Sequence, residues 1–234
     1  MAIKYKRVLI KISGEALAGE ERFGVNDAQL EKTAKQIKEI HDAGVEVGIV
    51  VGGGNFFRGR TGGNIDKPTA DYMGMLATVM NGLALQDALL ASGCPAKLMT
   101  AIEIRDMAEG YARRKVLDYL EEGKVVVFGG GTGSPFFTTD TAAALRAAEI
   151  GADVLLLAKN VDAVYSADPK EDPNAERFTE LTYMDIIDRD LKVMDLTAAT
   201  ICKDTETAIY VFALAKEGNL MKVINGENVG TLIR

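Results

Sequence analysis

Short apolar runs alternate with helical repeats along this chain of 234 residues. Each run is the length of a strand, and the first is rich in β-branched residues; the runs cover residues 5–12, 45–51, 96–100, 125–128 and 154–158. Apolar residues at helical spacing predict helices between Asn26 and Gly44 and over residues 69–92, 112–120 and 141–150. Apolar strands separated by helices are typical of a parallel sheet that is covered on both faces. The pattern therefore predicts an α/β protein, a three-layer αβα sandwich around a mostly parallel central sheet.

The last third of the chain has shorter apolar runs. Residues 180–183, 209–213 and 229–233 predict short strands with helices between them. The chain has no sequence repeat, low-complexity tract or interdomain linker, and its most linker-like stretch, PKEDP at 169–173, is only as long as a loop. We therefore expect residues 1–234 to form a single domain.

Charge and apolar content exclude several classes of partner. The chain has 27 Lys and Arg residues against 34 Asp and Glu residues, a formal charge of −7, whereas nucleic-acid binding requires a basic face. No apolar run approaches the roughly 18 residues that span a bilayer, and the first residues lack the apolar stretch of a secretory signal. We expect a cytoplasmic protein that binds neither nucleic acid nor membranes.

Cysteine and histidine offer little candidate chemistry. Cys94 and Cys202 form no CxxC motif and have no histidine close in sequence, which indicates two buried free thiols. His41, the one histidine, lies near the end of a predicted helix, where a cation is favourable. Catalysis would therefore depend on Lys, Arg, Asp, backbone amides or a bound metal.

Three predicted strands end in glycine-rich turns, KISG at 11–14, GGGN at 52–55 and GGGTG at 129–133. Ligands of an open parallel sheet bind at the carboxyl ends of its strands, and glycine lets backbone N–H groups approach an anion closely. Turn formation alone explains one glycine cluster, but three at equivalent strand ends predict a phosphate site. The P-loop, dinucleotide-binding and protein kinase motifs are absent from the sequence.

Charged residues beside these turns are the candidate catalytic residues. Lys11 would place a positive charge on transferring phosphates, or it is a strand lysine that snorkels to solvent. Arg58 would bind two phosphate oxygens, or it is an ordinary exposed arginine. Asp140 would hold Lys11 in place, or it caps the helix that follows.

Six segments carry a family resemblance: KISGEAL at 11–17, GGGNFFRG at 52–59, DYMGMLATVMNGLAL at 71–85, GTGSPFFTTD at 131–140, VDAVYSADP at 161–169 and KVMDLTA at 192–198. Together they resemble the bacterial UMP kinase (uridylate kinase) branch of the amino acid kinase family. The resemblance extends over nearly the whole chain and implies the amino acid kinase fold. It also implies transfer of the γ-phosphoryl group of ATP to UMP with Mg²⁺, giving UDP and ADP for pyrimidine nucleotide biosynthesis.

The resemblance assigns roles to residues of these segments. The ATP-binding residues that it implies are Lys11, Ile12, Ser13, Gly14, Gly54 and Arg58 at the phosphates, and Asn160, Tyr165 and Asp168 at the base and ribose. The UMP-binding residues that it implies are Gly53, Asp71, Thr132, Gly133, Ser134, Pro135, Phe136, Phe137, Thr138 and Thr139. Lys159 is the alternative to Asn160 at the adenine, and no protein ligand for a metal is implied.

Several of these residues have a second interpretation. Asp71 suits a ribose hydroxyl, or it is a carboxylate near a helix N-terminus. Phe136 and Phe137 would pack against the base, or they belong to the core. The hydroxyls of Thr138 and Thr139, with nearby backbone groups, would distinguish uracil from cytosine.

Assembly and regulation follow from the resemblance alone. It implies a homohexamer that GTP activates and UTP inhibits. The segment linked with the GTP response comprises Gly19, Glu20, Glu21, Arg22, Phe23 and Gly24, which would otherwise be read as a flexible turn.

Two other functions are compatible with the sequence. A kinase of the same family that acts on another small acid would share the ATP site and differ in the acceptor pocket; Asp71 and the 131–140 segment disfavour it. A nucleotide-binding regulatory protein without turnover would share the fold. The presence of Lys11, Arg58 and Asp140 disfavours that alternative.

Overall fold

The computed structural model describes residues 3–57, 64–169 and 171–234. Its strands are β1 (Arg7–Ile12), β2 (Glu46–Val51), β3 (Ala96–Thr100), β4 (Glu109–Gly110), β5 (Val125–Gly129), β6 (Val154–Lys159), β7 (Val164–Tyr165), β8 (Arg177–Phe178), β9 (Glu180–Leu181), β10 (Ile209–Ala213) and β11 (Thr231–Ile233). Its helices are α1 (Gly14–Ala18), α2 (Asp27–Asp42), α3 (Lys67–Ala91), α4 (Arg113–Glu121), α5 (Thr139–Ile150), α6 (Tyr183–Asp188), α7 (Leu196–Asp204) and α8 (Asn219–Ile224), and a 3₁₀ turn covers Gly19–Glu21.

Within the described residues, nine strands form one sheet in the order β4-β3-β5-β2-β1-β6-β10-β11-β9, and β7 pairs separately with β8. The neighbours in the large sheet are parallel except β10 and β11. The central strands are buried except at a few half-buried positions near their ends, which explains why their sequences are nearly continuous apolar runs instead of alternating ones. The predicted mostly parallel sheet is confirmed.

Helices cover both faces of the sheet. One apolar cluster joins the sheet to α2, α3 and α8, and a second joins its other face to α4, α5, α6 and α7. Helix α5 buries four alanines against the strands, so its backbone lies close to the sheet. The predicted αβα sandwich is confirmed.

Helix α3 corrects the expectation drawn from apolar runs. It is the one helix in the described part of the chain whose length and composition would allow it to cross a bilayer. No apolar run of that length was expected because Asp71 and Asp87 interrupt the apolar residues of α3, although the helix is apolar on average. In the fold, α3 packs against α2, β3 and β5 and buries Val79, Leu85 and Leu89 in the core.

Element boundaries follow the capping residues. Asn26 caps α2 by accepting a hydrogen bond from the Gln29 amide at 3.1 Å, and Gly44 follows the helix with a φ of +91°, as predicted. The strand predicted at 180–183 is wrong at its end. Thr182 and Asp185 form a capping box there, which ends the strand at Leu181 and begins α6 at Tyr183.

The two cysteines and the histidine lie where the sequence predicts them. Cys94 and Cys202 are buried free thiols, and His41 lies in the last turn of α2. The His41 Nε2 atom is 2.8 Å from the Gly123 carbonyl oxygen, a contact that joins α2 to the turn before β5.

Candidate active site

The glycine turns predicted from the sequence meet at one edge of the sheet. Strands β5, β2 and β1 are neighbours, and each turn begins where one of them ends. The Gly52 amide donates to the Ile12 carbonyl at 2.8 Å, and a Cβ atom on Gly14 would lie 2.9 Å from the Gly52 carbonyl oxygen. Because glycine alone permits this approach, the first two turns form one continuous surface of backbone groups.

Lys11 and Asp140 form an ion pair over the end of β1, with the Nζ atom 2.9 Å from Oδ1. Their side chains are only 11% and 17% exposed. Lys11 alternates with Leu9 along β1 and therefore faces α5, whose first turn carries Asp140. This ion pair agrees with the prediction that Asp140 holds Lys11 in place, and the catalytic role of the pair stays a prediction. The alternative that Asp140 caps the helix is wrong, because Thr138 is the N-cap of α5.

Lys159 is a second cation at this site, whereas its predicted place was only at the adenine. It ends β6, the neighbour of β1, and it alternates with Leu155 and Leu157 on the face that packs against α5. Burial is the largest cause of a lowered pKa for the Lys159 ammonium, nearby Lys11 lowers the pKa further, and Asp140 opposes both. The alternation of Lys159 with those two leucines was the sequence signal that could have placed it beside Lys11.

A cavity of about 130 Å³ lies between α3 and the glycine turns that follow β2 and β5. Its lining includes Gly53, Gly54, Asp71, Thr132, Phe137, Thr138 and Thr139, together with Phe57, Gly74, Met75, Thr78 and Gly131. Gly54, predicted for ATP, lies here with the residues predicted for UMP. Because ligand pockets typically measure 300–1,000 Å³, the cavity encloses only part of a nucleotide. We call it the acceptor cavity.

The N-terminus of α5 forms one wall of this cavity. The Thr138 hydroxyl accepts hydrogen bonds from the amides of Asp140 at 3.1 Å and Thr141 at 3.2 Å, and it donates to Asp195. Asp195 in turn caps α7 by accepting from the Ala198 amide at 3.0 Å. The Thr138 hydroxyl is therefore engaged within the protein, which leaves the Thr139 hydroxyl of the two predicted to read uracil.

Asp71 connects α3 to the segment that precedes α5. Its carboxylate accepts a hydrogen bond from the Phe136 amide at 2.8 Å and forms an ion pair with Lys67. Burial raises the pKa of Asp71, but the bonds from Lys67 and Phe136 outweigh it, and the net pKa lies below its ordinary value. The carboxylate thus stays charged at the mouth of the acceptor cavity.

Phe136 and Phe137 do not belong to the core. Their side chains are 69% and 50% exposed. Phe136 has a φ of +73°, an unusual conformation for a bulky residue, and the bond from its amide to Asp71 holds it there. Of the two rings, only Phe137 lines the acceptor cavity. Within the same segment, Ser134 donates its amide to the Thr132 hydroxyl at 3.2 Å.

The residues predicted for the ATP base are not all in one place. Asn160 and Lys159 line a cavity of about 560 Å³, which also includes Gly19, Glu20 and Arg22 of the predicted GTP segment. Tyr165 and Asp168 lie outside this lining. Tyr165 instead donates its hydroxyl to Asp162 at 2.8 Å, and the Asp168 carbonyl accepts from the Asp172 amide at 2.8 Å.

The segment predicted to respond to GTP is joined to the second glycine turn. Gly24 donates its amide to the Asn55 carbonyl at 3.2 Å, and its own carbonyl accepts from the Asn55 side chain at 2.6 Å. The rings of Phe23 and Phe56 meet edge to face, with centroids 5.9 Å apart. These contacts disfavour the alternative of a flexible turn. Arg58 lies outside the described residues, so its predicted role stays a prediction.

Comparison with known proteins identifies the class. The sequence profile of the amino acid kinase family matches residues 6–213. The chain is 55% identical to a uridylate kinase of Limosilactobacillus reuteri, over 99% of this chain and 98% of that protein. This protein belongs to the amino acid kinase family.

Solved structures agree with this assignment. The UMP kinase of Bacillus anthracis superposes with a TM-score of 0.96 at 40% identity, covering 98% of this chain and 96% of that one. The UMP kinase of Ureaplasma parvum gives 0.92 at 35% identity, covering 99% of both chains. The uridylate kinase of Archaeoglobus fulgidus gives 0.74 at 30% identity, with 97% of this chain and 99% of that chain covered.

Proposed function

We propose that this protein is a UMP kinase, which transfers the γ-phosphoryl group of ATP to UMP and produces UDP and ADP. The observation that carries the proposal is the acceptor cavity, which is lined by Gly53, Asp71 and four residues of the 132–139 segment, beside the first turn of α5 that carries Asp140. The uridylate and UMP kinases similar to this chain provide the second line of support.

The reaction requires positioning and charge stabilisation more than covalent chemistry. An ionised oxygen of the UMP phosphate attacks the γ-phosphorus while the bond to the ADP oxygen breaks, through a loose, in-line transition state. No general base is needed, because the second pKa of a phosphate monoester is about 6 and the nucleophile is already ionised. This agrees with a site whose described side chains offer two lysines and an aspartate.

Lys11 and Lys159 supply the positive charge on the transferred group in this mechanism. Both lie at the carboxyl edge of the sheet on the face toward α5, and Asp140 fixes the Lys11 ammonium in a partly buried position. Preorganised charges of this kind stabilise a developing transition state without reorganisation. The negative charge of a bound phosphate would stabilise the Lys159 ammonium and so offset the effect of burial, which lowers its pKa.

Mg²⁺ fits this site as an ion that enters with ATP. Magnesium sites of kinases use one or two carboxylates together with substrate phosphates, and the described residues contain no group of three acidic, histidine or cysteine side chains that would form a protein cage. Asp140, which pairs with Lys11 at this end of the sheet, is the carboxylate that would contact the ion. When bound, the ion neutralises charge on the β- and γ-phosphate oxygens.

Other parts of the proposal come from the resemblance to this branch of the family. They are the base and ribose contacts of ATP, a single domain over residues 1–234, a homohexamer in the cytoplasm, activation by GTP and inhibition by UTP. The contact between the 19–24 segment and the second glycine turn supports a regulatory role for the 19–24 segment. Because the two are hydrogen-bonded, a movement of the segment would displace the turn at the proposed phosphate site.

A panel of acceptors tests the proposed function. The purified full-length chain is given MgATP with UMP, CMP, AMP, acetylglutamate or aspartate, and ADP release is measured. We expect turnover with UMP and little with the other four. Turnover with an amino acid would leave the phosphate site and exclude the UMP pocket, whereas ATP binding without turnover on any acceptor would favour a regulatory protein.

A further inference from the structure

A stripe of polar residues on the otherwise apolar helix α3 faces the carboxyl edge of the sheet. Asp71, Thr78 and Asn81 follow one another at spacings of seven and three residues, which places them on one side of the helix. Each reaches a different loop of the site. Asp71 accepts from the Phe136 amide at 2.8 Å, the Thr78 hydroxyl accepts from the Gly130 amide at 2.7 Å, and the Asn81 amide donates to the Gly52 carbonyl at 2.6 Å.

Asn81 does not line the acceptor cavity, but its side-chain amide forms hydrogen bonds with residues of the adjacent glycine turn. Asn81 and Asn55 exchange reciprocal side-chain hydrogen bonds of 2.7 and 3.0 Å, and the exposed fractions of the two residues are 0% and 2%. Asn55 uses its second N–H on the Gly24 carbonyl at 2.6 Å. Its Oδ1 atom also lies so close to Gly14 that a Cβ atom there would be 2.1 Å away.

These bonds connect the loops to one rigid element. The Gly52 carbonyl and the Gly130 amide belong to the glycine turns after β2 and β5, which form opposite sides of the acceptor cavity. Neither group is bonded to a strand partner; both are bonded to α3 instead. Thr78 and Asn81 therefore tie both turns to one helix, in addition to the pairing of β2 with β5 that brings the two strand ends together.

We propose that Thr78 and Asn81 are positioning residues, which set the spacing of the two glycine turns and thereby the shape of the acceptor cavity. The effect on catalysis rests on the proposed function, since the cavity is taken to hold UMP. Their polar character is otherwise costly, because a buried amide or hydroxyl is favourable only while its hydrogen bonds are made. Valine and leucine at these positions would fill the space without holding the turns.

The first experiment compares Asn81→Leu with Gln86→Leu in the full-length chain. Gln86 lies on the same helix, and its side chain accepts a hydrogen bond from the Leu98 amide, away from both glycine turns. Asn81→Leu removes three buried hydrogen bonds of α3 and Gln86→Leu removes one partly buried bond, so both are expected to lower the melting temperature, the first by more. Amide hydrogen exchange is then measured in peptides within 50–57 and 125–133, together with kcat and the KM for UMP and ATP.

We expect faster exchange over 52–57 in Asn81→Leu alone, because the Gly52 turn loses its anchor. We also expect the kcat/KM for UMP to fall about 10- to 100-fold, as small displacements of a binding group typically cause. Gln86→Leu should leave both values within a factor of about three of the wild type. Equal exchange and equal kinetics in the two variants would overturn the proposal and leave Asn81 a residue of the core only.

Thr78 gives an independent test if Asn81→Leu does not fold. Thr78→Val keeps the shape and removes the acceptor of the Gly130 amide, whereas Thr78→Ser keeps the hydroxyl. We expect faster exchange over 129–133 and a raised KM for UMP in Thr78→Val, with Thr78→Ser close to the wild type; the same behaviour in both variants would contradict the proposal. If the wild type itself does not phosphorylate UMP, the proposed function fails, and the exchange data alone decide whether these residues position the turns.

Discussion

At the scale of single residues, three charged side chains define the proposed phosphate site. Lys11, Lys159 and Asp140 come from three separate elements and share one side of the sheet edge. Only the Lys11–Asp140 distance of 2.9 Å is a direct ion pair, and Lys159 adds a cation whose pKa burial lowers. A phosphate arriving here meets fixed positive charge with little water around it, where electrostatic interactions are strong.

Replacing Lys11 by methionine tests this arrangement. Lys11→Met removes the charge while keeping most of the side-chain length, and we expect kcat for UMP phosphorylation to fall about 100-fold or more, the usual effect of losing a transition-state contact. Lys97→Met is the matched control, since Lys97 is an exposed lysine on β3. Steady-state kinetics well below the melting temperature measure both. A Lys11→Met enzyme with a normal kcat would remove Lys11 from the mechanism.

Single residues also show what the sequence reveals and what it does not. The pairing of Lys11 with Asp140 could be expected because an isolated lysine near the end of an apolar strand is conspicuous and Asp140 follows a neighbouring glycine-rich turn. The engagement of Thr138 by Asp195 could not, since the two are far apart in sequence and meet only when α5 and α7 pack. The position of Lys159 beside Lys11 could have been predicted from its alternation with Leu155 and Leu157 along the strand, although its predicted place was the adenine.

At the scale of elements, the glycine turns depend on close packing of neighbouring loops. Gly14 begins α1 without a left-handed conformation, so its importance lies in the space around it. Any Cβ atom there would collide with the Asn55 side chain at 2.1 Å and the Gly52 carbonyl at 2.9 Å. The second glycine turn would have to move away from the first.

Gly14→Ala therefore tests the contact between the two turns. We expect the kcat/KM for UMP to fall at least about 10-fold, because the displaced turn carries Gly53 and Gly54. Gly110→Ala serves as the comparison, since nothing lies within 4 Å of a Cβ atom at that glycine and its φ is not positive. Kinetics and thermal unfolding of the two variants, measured side by side, decide the question. Normal kinetics in Gly14→Ala would show that the turns tolerate separation.

Helix α3 marks the limit of prediction for elements. The extent of the helix could be predicted from its composition. The roles of Asp71, Thr78 and Asn81 could not, because the backbone groups that they bond belong to loops distant in sequence. Short elements were missed for a related reason. The strands β4, β7 and β8 are two residues long each and exist only through pairing with distant segments.

At the scale of the whole molecule, two buried thiols make the free energy of unfolding depend on pH. Burial raises the pKa of Cys94 to about 11 and that of Cys202 to about 12. In the unfolded chain, by contrast, a thiol ionises near pH 8.5. The protonated thiols thus favour the folded state, and their contribution is complete below the unfolded pKa and is lost as the pH rises toward the folded values.

We expect the free energy of unfolding to fall with pH above about 8.5, by up to about 1.4 kcal/mol per pH unit for each thiol. The Cys94→Ala, Cys202→Ala double variant should show a shallower decline, and denaturant unfolding from pH 8 to 11 measures the difference. Both thiols should also react slowly with a thiol reagent at pH 8 in the native protein and rapidly after unfolding. Identical pH slopes in the two proteins would contradict the assignment.

The most direct test of the whole account is a competition between UMP and CMP for the γ-phosphoryl group. The wild-type chain receives γ-³²P-labelled MgATP with equal UMP and CMP, and the labelled products are separated. From the acceptor cavity and the nearby Lys11 and Lys159 we expect labelled UDP, with labelled CDP at about a hundredth of that amount or less. A site that forms the hydrogen bonds of uracil leaves polar groups unpaired when cytosine binds instead. Equal amounts of UDP and CDP, or label in neither nucleotide, would contradict the account.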